Sequence, residues 1–173
     1  MKYLPYKFKD MIGKHVLIIG DHATGKTVLT TRLIEESIQM NLSSKITVLE
    51  LAPRIFLKNE YIGLEIADYT DMISKVTYLK TKNIKAPRIQ GKNHEESLYY
   101  ANHNRKKFEK LLHTFMINPT DTLFINDLTM FFHTGKPDML FNIIQKTKTV
   151  ICNGYEGIFL PLKNTSIISK KEI

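Results

Sequence analysis

One short segment constrains the fold of this chain more than any other. Residues 20–27 match the pattern G-x-x-x-x-G-K-[ST] in full, and they are Gly20, Asp21, His22, Ala23, Thr24, Gly25, Lys26 and Thr27. The composition predicts only about 0.006 such matches by chance in 173 residues. An apolar run at 15–19 precedes the segment, and an amphipathic pattern at about 26–40 follows it. This context predicts a strand, a tight loop and a helix in succession. The segment is called the glycine loop below.

Each fixed position of the glycine loop has a chemical reason. The two glycines let the backbone approach an anion without a Cβ in the way. Successive N–H groups then form a nest for phosphate oxygens, and the positive end of the following helix adds to it. Lys26 is expected to place its ammonium against the β- and γ-phosphates, and Thr27 to give its hydroxyl to Mg²⁺. The pattern therefore predicts that residues 20–27 together bind a nucleoside polyphosphate.

A second segment supplies an acid for the metal. The apolar run at 123–125 ends in Asn126 and Asp127. Asp127 is the predicted Mg²⁺ residue, together with Thr27, because a carboxylate binds a hard cation better than an amide does. Two alternatives stay open. Either Asn126 takes the metal position while Asp127 orients the attacking water, or Asp127 only caps a turn after the strand.

The two segments resemble the Walker A and Walker B motifs of P-loop NTPases, and their order is most similar to the RecA/KaiC-type branch. The resemblance covers about 14–157. It implies a Mg²⁺-dependent ATPase that breaks the β–γ phosphate bond, with Lys26 in the phosphate site. By position alone it also implies a catalytic glutamate at the end of the second strand, Glu50, and a polar sensor residue after a later strand, Asn153. Relatives of this kind often assemble, so the resemblance also implies a homo-oligomer.

Three function classes are compatible with these motifs. The first is an ATPase that couples its nucleotide state to a partner. The second is a small-molecule kinase, although nucleotide kinases generally need several arginines in a lid and this chain has only four. The third is a nucleotide-regulated nucleic-acid-binding module with little turnover, which the lack of a second acid beside Asp127 favours. GTP is less expected than ATP, because no Asn-Lys-x-Asp guanine motif is present.

A basic segment at 80–92 is the candidate for contacts with phosphate or with a partner. It carries five cations, which are Lys80, Lys82, Lys85, Arg88 and Lys92. The whole chain has a formal net charge of +8, which favours anionic partners without choosing among them. Arg88 follows the third predicted strand and is therefore a candidate for the γ-phosphate. The same segment is a candidate for binding nucleic acid or a protein partner, and a solvated loop is the alternative.

Apolar runs and amphipathic patterns alternate along the chain. Strands are predicted at 15–19, 46–51, 76–79, 123–125 and 149–152, and helices at 26–40, at 95–115 and from Pro137 onward. Short strands without period-two alternation indicate coverage on both faces. The prediction is an α/β, P-loop NTPase-like three-layer sandwich with a mostly parallel sheet, in one domain over 1–173. Residues 52–73 are expected to be irregular, and 157–160 are the last apolar piece.

Cysteine content and the length of apolar runs bear on the cellular setting. The single cysteine, Cys152, excludes an internal disulfide, and no Cys/His cluster has zinc-site spacing. These features favour a reducing, cytoplasmic setting. The first ten residues lack the apolar stretch of a signal peptide, and no apolar run approaches the ~20 residues that span a bilayer. No membrane span is therefore expected.

Overall fold

Strands and helices alternate along the part of the chain that the structure covers. The computed structural model describes residues 6–57 and 59–157. The strands are β1 (His15–Gly20), β2 (Ile46–Glu50), β3 (Ile55–Leu57), β4 (Glu60–Ile62), β5 (Thr77–Lys80), β6 (Thr122–Asn126) and β7 (Thr149–Tyr155). The helices are α1 (Lys26–Gln39), α2 (Pro87–Gln90), α3 (His94–Ile117), α4 (Thr129–Phe132) and α5 (Pro137–Gln145). Short 3-10 helices lie at Phe8–Met11, Ser43–Lys45, Ile66–Asp68 and Asp71–Lys75.

Five of these strands form one parallel sheet. Its order is β1-β7-β6-β2-β5, and each neighbouring pair runs parallel. The strands β3 and β4 pair antiparallel and form a separate hairpin. Because the sheet strands run in one direction, their carboxyl ends lie at one edge, where ligands bind in sheets of this kind. The glycine loop follows β1 at that edge, and Asp127 follows β6 at the same edge.

The central strands of the sheet are covered on both faces, which is why β2 and β6 are buried along their whole length. Val48 and Phe124 pack in one core with α1 and the 3-10 helices. Leu49 and Ile125, the next residues of the same two strands, pack in a second core with α3, α4 and α5. Successive side chains of a strand point to opposite faces, so two cores of this kind require a layer of helices on each side.

The predicted α/β organisation with a mostly parallel sheet is confirmed. The expectation that 52–73 is irregular is wrong in part, because this segment contains the β3–β4 hairpin and 3-10 helices. Strands of three residues are too short to leave a periodic signal in a sequence. For the same reason the four-residue helices α2 and α4 were not predicted. The last predicted apolar piece, 157–160, lies outside the described residues beyond Gly157.

Strand β1 departs from the predicted coverage on both faces. Burial alternates along it, and Leu17 and Ile19 are 57% and 56% exposed. Within 6–57 and 59–157, β1 pairs with β7 alone and stands at the end of the sheet. An apolar run in the sequence therefore does not by itself show that a strand is covered on both sides.

The longest helix of the fold is polar along much of its length. Helix α3 has 24 residues, and its first turn contains Glu95 and Glu96. Among the helices described, none combines the length and the apolar character needed to cross a membrane.

Candidate functional site

One cleft at the carboxyl edge of the sheet brings the two sequence motifs together. Its volume is about 330 Å³, which is typical of sites for small molecules. Residues 22–27 of the glycine loop line it, as do Asp127, Asn153 and Arg88. Four features predicted from separate parts of the sequence therefore meet in one cavity. Glu50, the fifth, does not line this cavity.

The two glycines of the glycine loop are required for different structural reasons. Gly25 has a φ of +87°, a left-handed conformation that a residue without Cβ adopts at no steric cost. At Gly20 the reason is close approach, because an added Cβ would lie 2.9 Å from the Thr24 hydroxyl. Helix α1 then begins at Lys26, with no side-chain cap among the described residues and no acid in its first turn. The first N–H groups of α1 therefore have no side-chain acceptor, and they lie at the end of the helix that adjoins the cleft.

Two internal hydrogen bonds hold the loop in shape. The Thr24 hydroxyl donates to the Asp21 carbonyl at 2.9 Å, and the His22 N–H donates to the Asp21 carboxylate at 2.6 Å. That carboxylate also faces Gly157, where an added Cβ would overlap it. Gly20 and Asp21 thus shape the loop from outside the cleft, whereas residues 22–27 form its wall.

Lys26 is the basic residue of the glycine loop. Its Nζ donates to the Asp21 carbonyl oxygen at 2.6 Å and lies 5.9 Å from the centroid of the Tyr155 ring. Partial burial lowers the pKa of Lys26, while the charges of Asp127 and Asp21 act in the opposite direction. A partly desolvated ammonium interacts more strongly with an anion than one in bulk water does. The position of Lys26 therefore suits anion binding.

Asp127 follows β6 directly and has a left-handed backbone. Its φ is +57°, which aspartate tolerates better than most residues. Its N–H donates to Asn153 Oδ1 at 2.8 Å, and its carboxylate accepts a bond from the Thr129 hydroxyl at 2.6 Å. Backbone strain of this kind concentrates at functional sites, where surrounding contacts hold it in place. Here the amide of Asn153 provides one of those contacts.

A buried chain of amides links the two motifs. Asn153 Nδ2 donates to Asn126 Oδ1 and to the Thr30 hydroxyl, both at 2.8 Å. The Thr30 hydroxyl in turn donates to the carbonyl oxygen of Lys26 at 3.0 Å. Asn153 is only 2% exposed and lies inside β7 rather than in a turn after the strand. Asn126 is likewise part of this chain and also lines the cleft.

Glu50 ends β2 as predicted, but it is only 2% exposed. Its carboxylate accepts hydrogen bonds from the Ala52 N–H (3.0 Å), the Ile66 N–H (2.8 Å), Asn126 Nδ2 (2.6 Å) and the Tyr78 hydroxyl (3.2 Å). Burial raises the pKa of Glu50 to about 7, against the lowering effect of the bonds from Ile66, Asn126 and Ala52. In this structure Glu50 joins β2 to β6 and to the segment at 52–66. Its catalytic role stays a prediction.

Arg88 is the member of the basic segment that reaches the cleft wall. It lies in the first turn of α2, is 8% exposed, and its guanidinium carbon lies 5.2 Å from the centroid of the Tyr155 ring. The Lys26 ammonium lies over the same ring, so Tyr155 contacts both Lys26 and Arg88, the lysine and the arginine that line the cleft. Sequence reasoning missed Tyr155, since the predicted strand ended at Cys152. Strand β7 continues through Tyr155, and a predicted strand of that length would have placed Tyr155 at the carboxyl edge of the sheet.

The remaining cations of the basic segment have separate surroundings. Lys80 pairs with Glu65 at 2.8 Å, and the Lys85 ammonium lies 6.0 Å from the centroid of the Tyr100 ring. Lys82 and Lys92 are exposed. The alternative of a solvated loop is therefore wrong for Arg88, which is buried. Contact of this segment with nucleic acid or a protein partner stays a prediction.

The side of the cleft opposite the glycine loop is apolar. We call it the apolar wall, and its side chains are Pro53, Ile55, Ile62, Leu64, Tyr69 and Ile89. Most of it comes from the segment that was expected to be irregular. In the β3–β4 hairpin Ile55 is paired with Ile62. An ion pair of 2.9 Å between Arg54, just before β3, and Asp68 joins the two ends of this segment. This wall was not predicted from the sequence, because its residues belong to no periodic pattern.

Gly63 brings the hairpin onto Pro53, and Gly63→Ala is expected to lower the free energy of unfolding by about 3 kcal/mol. The residue has a φ of +72°, and an added Cβ would overlap the Pro53 carbonyl oxygen. Gly13→Ala is the matched control, because Gly13 has a φ of +76° but nothing within 4 Å of the added Cβ. That control is expected to cost about 1 kcal/mol in urea unfolding. Equal losses would show that the hairpin does not press on Pro53.

A magnesium ion fits this site only together with a ligand. Among the described residues, no group of three or more His, Cys, Asp or Glu side chains could hold a metal. Thr27 and Asp127 both line the cleft and offer one hydroxyl and one carboxylate. Mg²⁺ is commonly held by one or two protein oxygens, with water and phosphate oxygens completing its octahedron. The donor set therefore suits a Mg²⁺ that arrives with a polyphosphate.

No protein-family model matches the chain, and no curated protein matches it either. The fold and the cleft therefore carry the functional argument.

Proposed function

We propose that this protein binds ATP with Mg²⁺ in the cleft and hydrolyses its β–γ phosphate bond. One observation carries the proposal: residues 22–27 and Asp127 line the same cleft, although Asp127 lies 100 positions after Thr27 in the sequence. The Asn153 side chain links them, since it bonds both the N–H of Asp127 and the Thr30 hydroxyl beneath Lys26. A polyphosphate with its metal needs such a combination of amides, one ammonium and one carboxylate.

In this proposal each residue has a defined role. The N–H groups of the glycine loop and the Lys26 ammonium bind the phosphates, while Thr27 and Asp127 hold the Mg²⁺. The bound Mg²⁺ neutralises phosphate charge and polarises the bond that breaks. Arg88 lies on the same wall and is the candidate for contact with the γ-phosphate. Asn153 acts as the polar sensor by holding Asp127.

Hydrolysis needs a group that orients the attacking water. The water oxygen bonds to the γ-phosphorus as the bond from that phosphorus to the bridging oxygen breaks, which yields ADP and phosphate. Asp127 is favoured over Glu50 for this role, because Asp127 lines the cleft. Glu50 does not line it, and its carboxylate already accepts four hydrogen bonds. ATP stays favoured over GTP, as the sequence suggests.

The direct test is titration calorimetry of the purified chain with ATP and with GTP, with and without Mg²⁺, followed by measurement of phosphate release. The proposal expects Mg²⁺-dependent ATP binding and a slow release of phosphate without any other acceptor. Absence of binding of either nucleotide would remove the proposal. Salt-sensitive binding to nucleic acid with negligible turnover would favour the regulated binding module instead.

A small-molecule kinase is the second candidate, and one observation favours it. The apolar wall lies opposite the glycine loop and offers a surface that an attacking water does not need. Turnover that requires an added metabolite would support this candidate. Assembly into a homo-oligomer, a protein partner and a cytoplasmic location stay predictions.

Asp127→Asn is expected to remove most of the effect of Mg²⁺ on ATP binding. Asparagine tolerates the left-handed backbone at this position, so the change removes the charge and keeps the fold. The affinity gained by adding Mg²⁺ is expected to fall at least about tenfold by calorimetry. Asp138→Asn, at an exposed acid in the first turn of α5, is the matched control. If the Asp127 variant gains as much ATP affinity from Mg²⁺ as the parent chain does, another residue holds the metal.

A further inference from the structure

The cleft divides into two chemically different halves along the strand order of the sheet. The glycine loop follows β1, Asp127 follows β6, and Pro53 of the apolar wall follows β2. Two strands, β7 and β6, separate β1 from β2, so the two ends of the cleft are roughly 14 Å apart at the usual strand spacing. Asp127 lies between the loop and the apolar wall. The cleft therefore extends past the proposed metal residue.

Hydrogen bonds to Glu50, a close backbone contact at Gly63 and two ion pairs hold the segment that forms most of the apolar wall. The Glu50 carboxylate bonds the N–H groups of Ala52 and Ile66, which bracket the hairpin segment. Gly63 brings the end of the hairpin into contact with the Pro53 carbonyl. Ion pairs join Arg54 to Asp68 at 2.9 Å and Glu65 to Lys80 of β5 at 2.8 Å. A wall fixed in this way is formed before any ligand arrives, as is usual for small-molecule sites.

We propose that the half of the cleft along the apolar wall is a second binding site, for a small organic molecule with an apolar body and one anionic group. Ile55, Ile62 and Leu64 supply the surface for the apolar body. Arg88 supplies the cation, since it lies on the cleft wall one residue before Ile89 of the apolar wall. In this arrangement Arg88 binds the anionic group of the second molecule and does not make the predicted contact with the γ-phosphate. The position of this site beside the terminal phosphate rests on the proposed function, whereas binding of the molecule itself does not.

The order of the strands favours this molecule over the nucleobase of the proposed ATP. If Asp127 shares a Mg²⁺ with the terminal phosphates, these phosphates lie between the glycine loop and the apolar wall. The nucleoside then leaves the glycine loop on the other side, away from Ile62 and Ile89. The apolar wall is left for a different molecule, next to the terminal phosphate.

Anilinonaphthalene sulfonate is a suitable probe, because it combines an apolar body with one anionic group and fluoresces when it leaves water. Titration of the full chain is expected to show saturable binding that persists at saturating Mg²⁺ and ATP. Ile62→Glu is expected to weaken this binding at least about tenfold by placing a charge on the apolar wall. Phe56→Glu is the matched control, because Phe56 is 61% exposed on the same hairpin and does not line the cleft. Leu64→Glu replaces Ile62→Glu if thermal unfolding shows that the latter does not fold.

The anionic group is tested with a neutral analogue, N-phenylnaphthylamine. It is expected to bind at least about fivefold more weakly than the sulfonate. Arg88→Gln is expected to remove that difference by weakening only the sulfonate. Equal binding of the two probes to the unchanged chain would overturn the assignment of Arg88.

Three results would overturn the second site itself. These are the absence of saturable binding, equal losses in the Ile62 and Phe56 variants, and displacement of the probe by adenosine, which would assign the apolar wall to the nucleobase. Lys26→Ala separates this proposal from the proposed function, because it is expected to weaken ATP binding about a hundredfold and leave probe binding unchanged. Probe binding in a chain that never binds ATP would refute the proposed function alone, whereas ATP binding without probe binding would refute the second site alone.

Discussion

Replacing Lys26 with alanine is expected to weaken the binding of ATP and Mg²⁺ by about a hundredfold, or roughly 3 kcal/mol. The ammonium is the loop's only side-chain cation and is already partly desolvated, so an anion bound there loses a strong charge-assisted partner. The hydrogen bond from Nζ to the Asp21 carbonyl is lost as well, but Thr24 still donates to that carbonyl. Titration calorimetry measures the change directly.

The control for this experiment removes a lysine elsewhere. Lys106→Ala changes the net charge by the same amount at an exposed position of α3. Its ATP affinity is expected to change less than about twofold, because exposed charges are screened by salt and water over such distances. A Lys26 variant with unchanged affinity, or two variants with the same loss, would disprove specific phosphate binding by the glycine loop.

The second large effect concerns stability and pH at Glu50. Burial raises the pKa of its carboxyl to about 7 in the folded chain, above the ordinary value of 4.5. The folded state therefore binds more protons than the unfolded state between these two values, and the free energy of unfolding falls as the pH rises through that window. The expected loss from this group is about 3 kcal/mol between pH 4.5 and pH 7.5.

Glu50→Gln isolates that effect, because glutamine does not titrate. The difference in free energy of unfolding between the parent chain and this variant is expected to shift by about 3 kcal/mol in favour of glutamine as the pH rises from 4.5 to 7.5. Urea unfolding at several pH values measures it. The same change at Glu35, a half-buried acid of α1, is the control and is expected to shift the difference by less than about 1 kcal/mol. A pH-independent difference at Glu50 would mean that its hydrogen bonds fully offset burial.

Local patterns were sufficient to predict the elements that position the cleft. The glycine loop lies between a strand and a helix because Gly25 permits a left-handed turn and Gly20 permits close approach of Thr24. The apolar runs became the five strands of a parallel sheet, as their lack of alternation indicated. Asp127 was predicted to follow a buried strand, and it does so at the edge where the loop also lies.

Other features needed contacts between distant parts of the chain. The position of Glu50 at a strand end suggested a catalytic acid, but donors from β5, β6 and the 52–66 segment surround it. Arg88 belongs to a basic segment for which the sequence left a solvated loop as an alternative, and the structure shows that its side chain is buried beside Tyr155. Two residues of the apolar wall, Ile55 and Ile62, lie in three-residue strands that leave no periodic signal, and its other residues lie outside these strands.

The sequence by itself predicted the α/β class, the parallel sheet and the loop at the end of β1, because the patterns that indicate them, apolar runs and the spacing of glycines, are local in the chain. Only the tertiary structure decided which polar groups face the cleft and which are enclosed. Burial of a carboxylate such as Glu50, or contact of a guanidinium with a ring, depends on residues tens of positions away. No short-range pattern of residue types encodes which of those residues will be its neighbours.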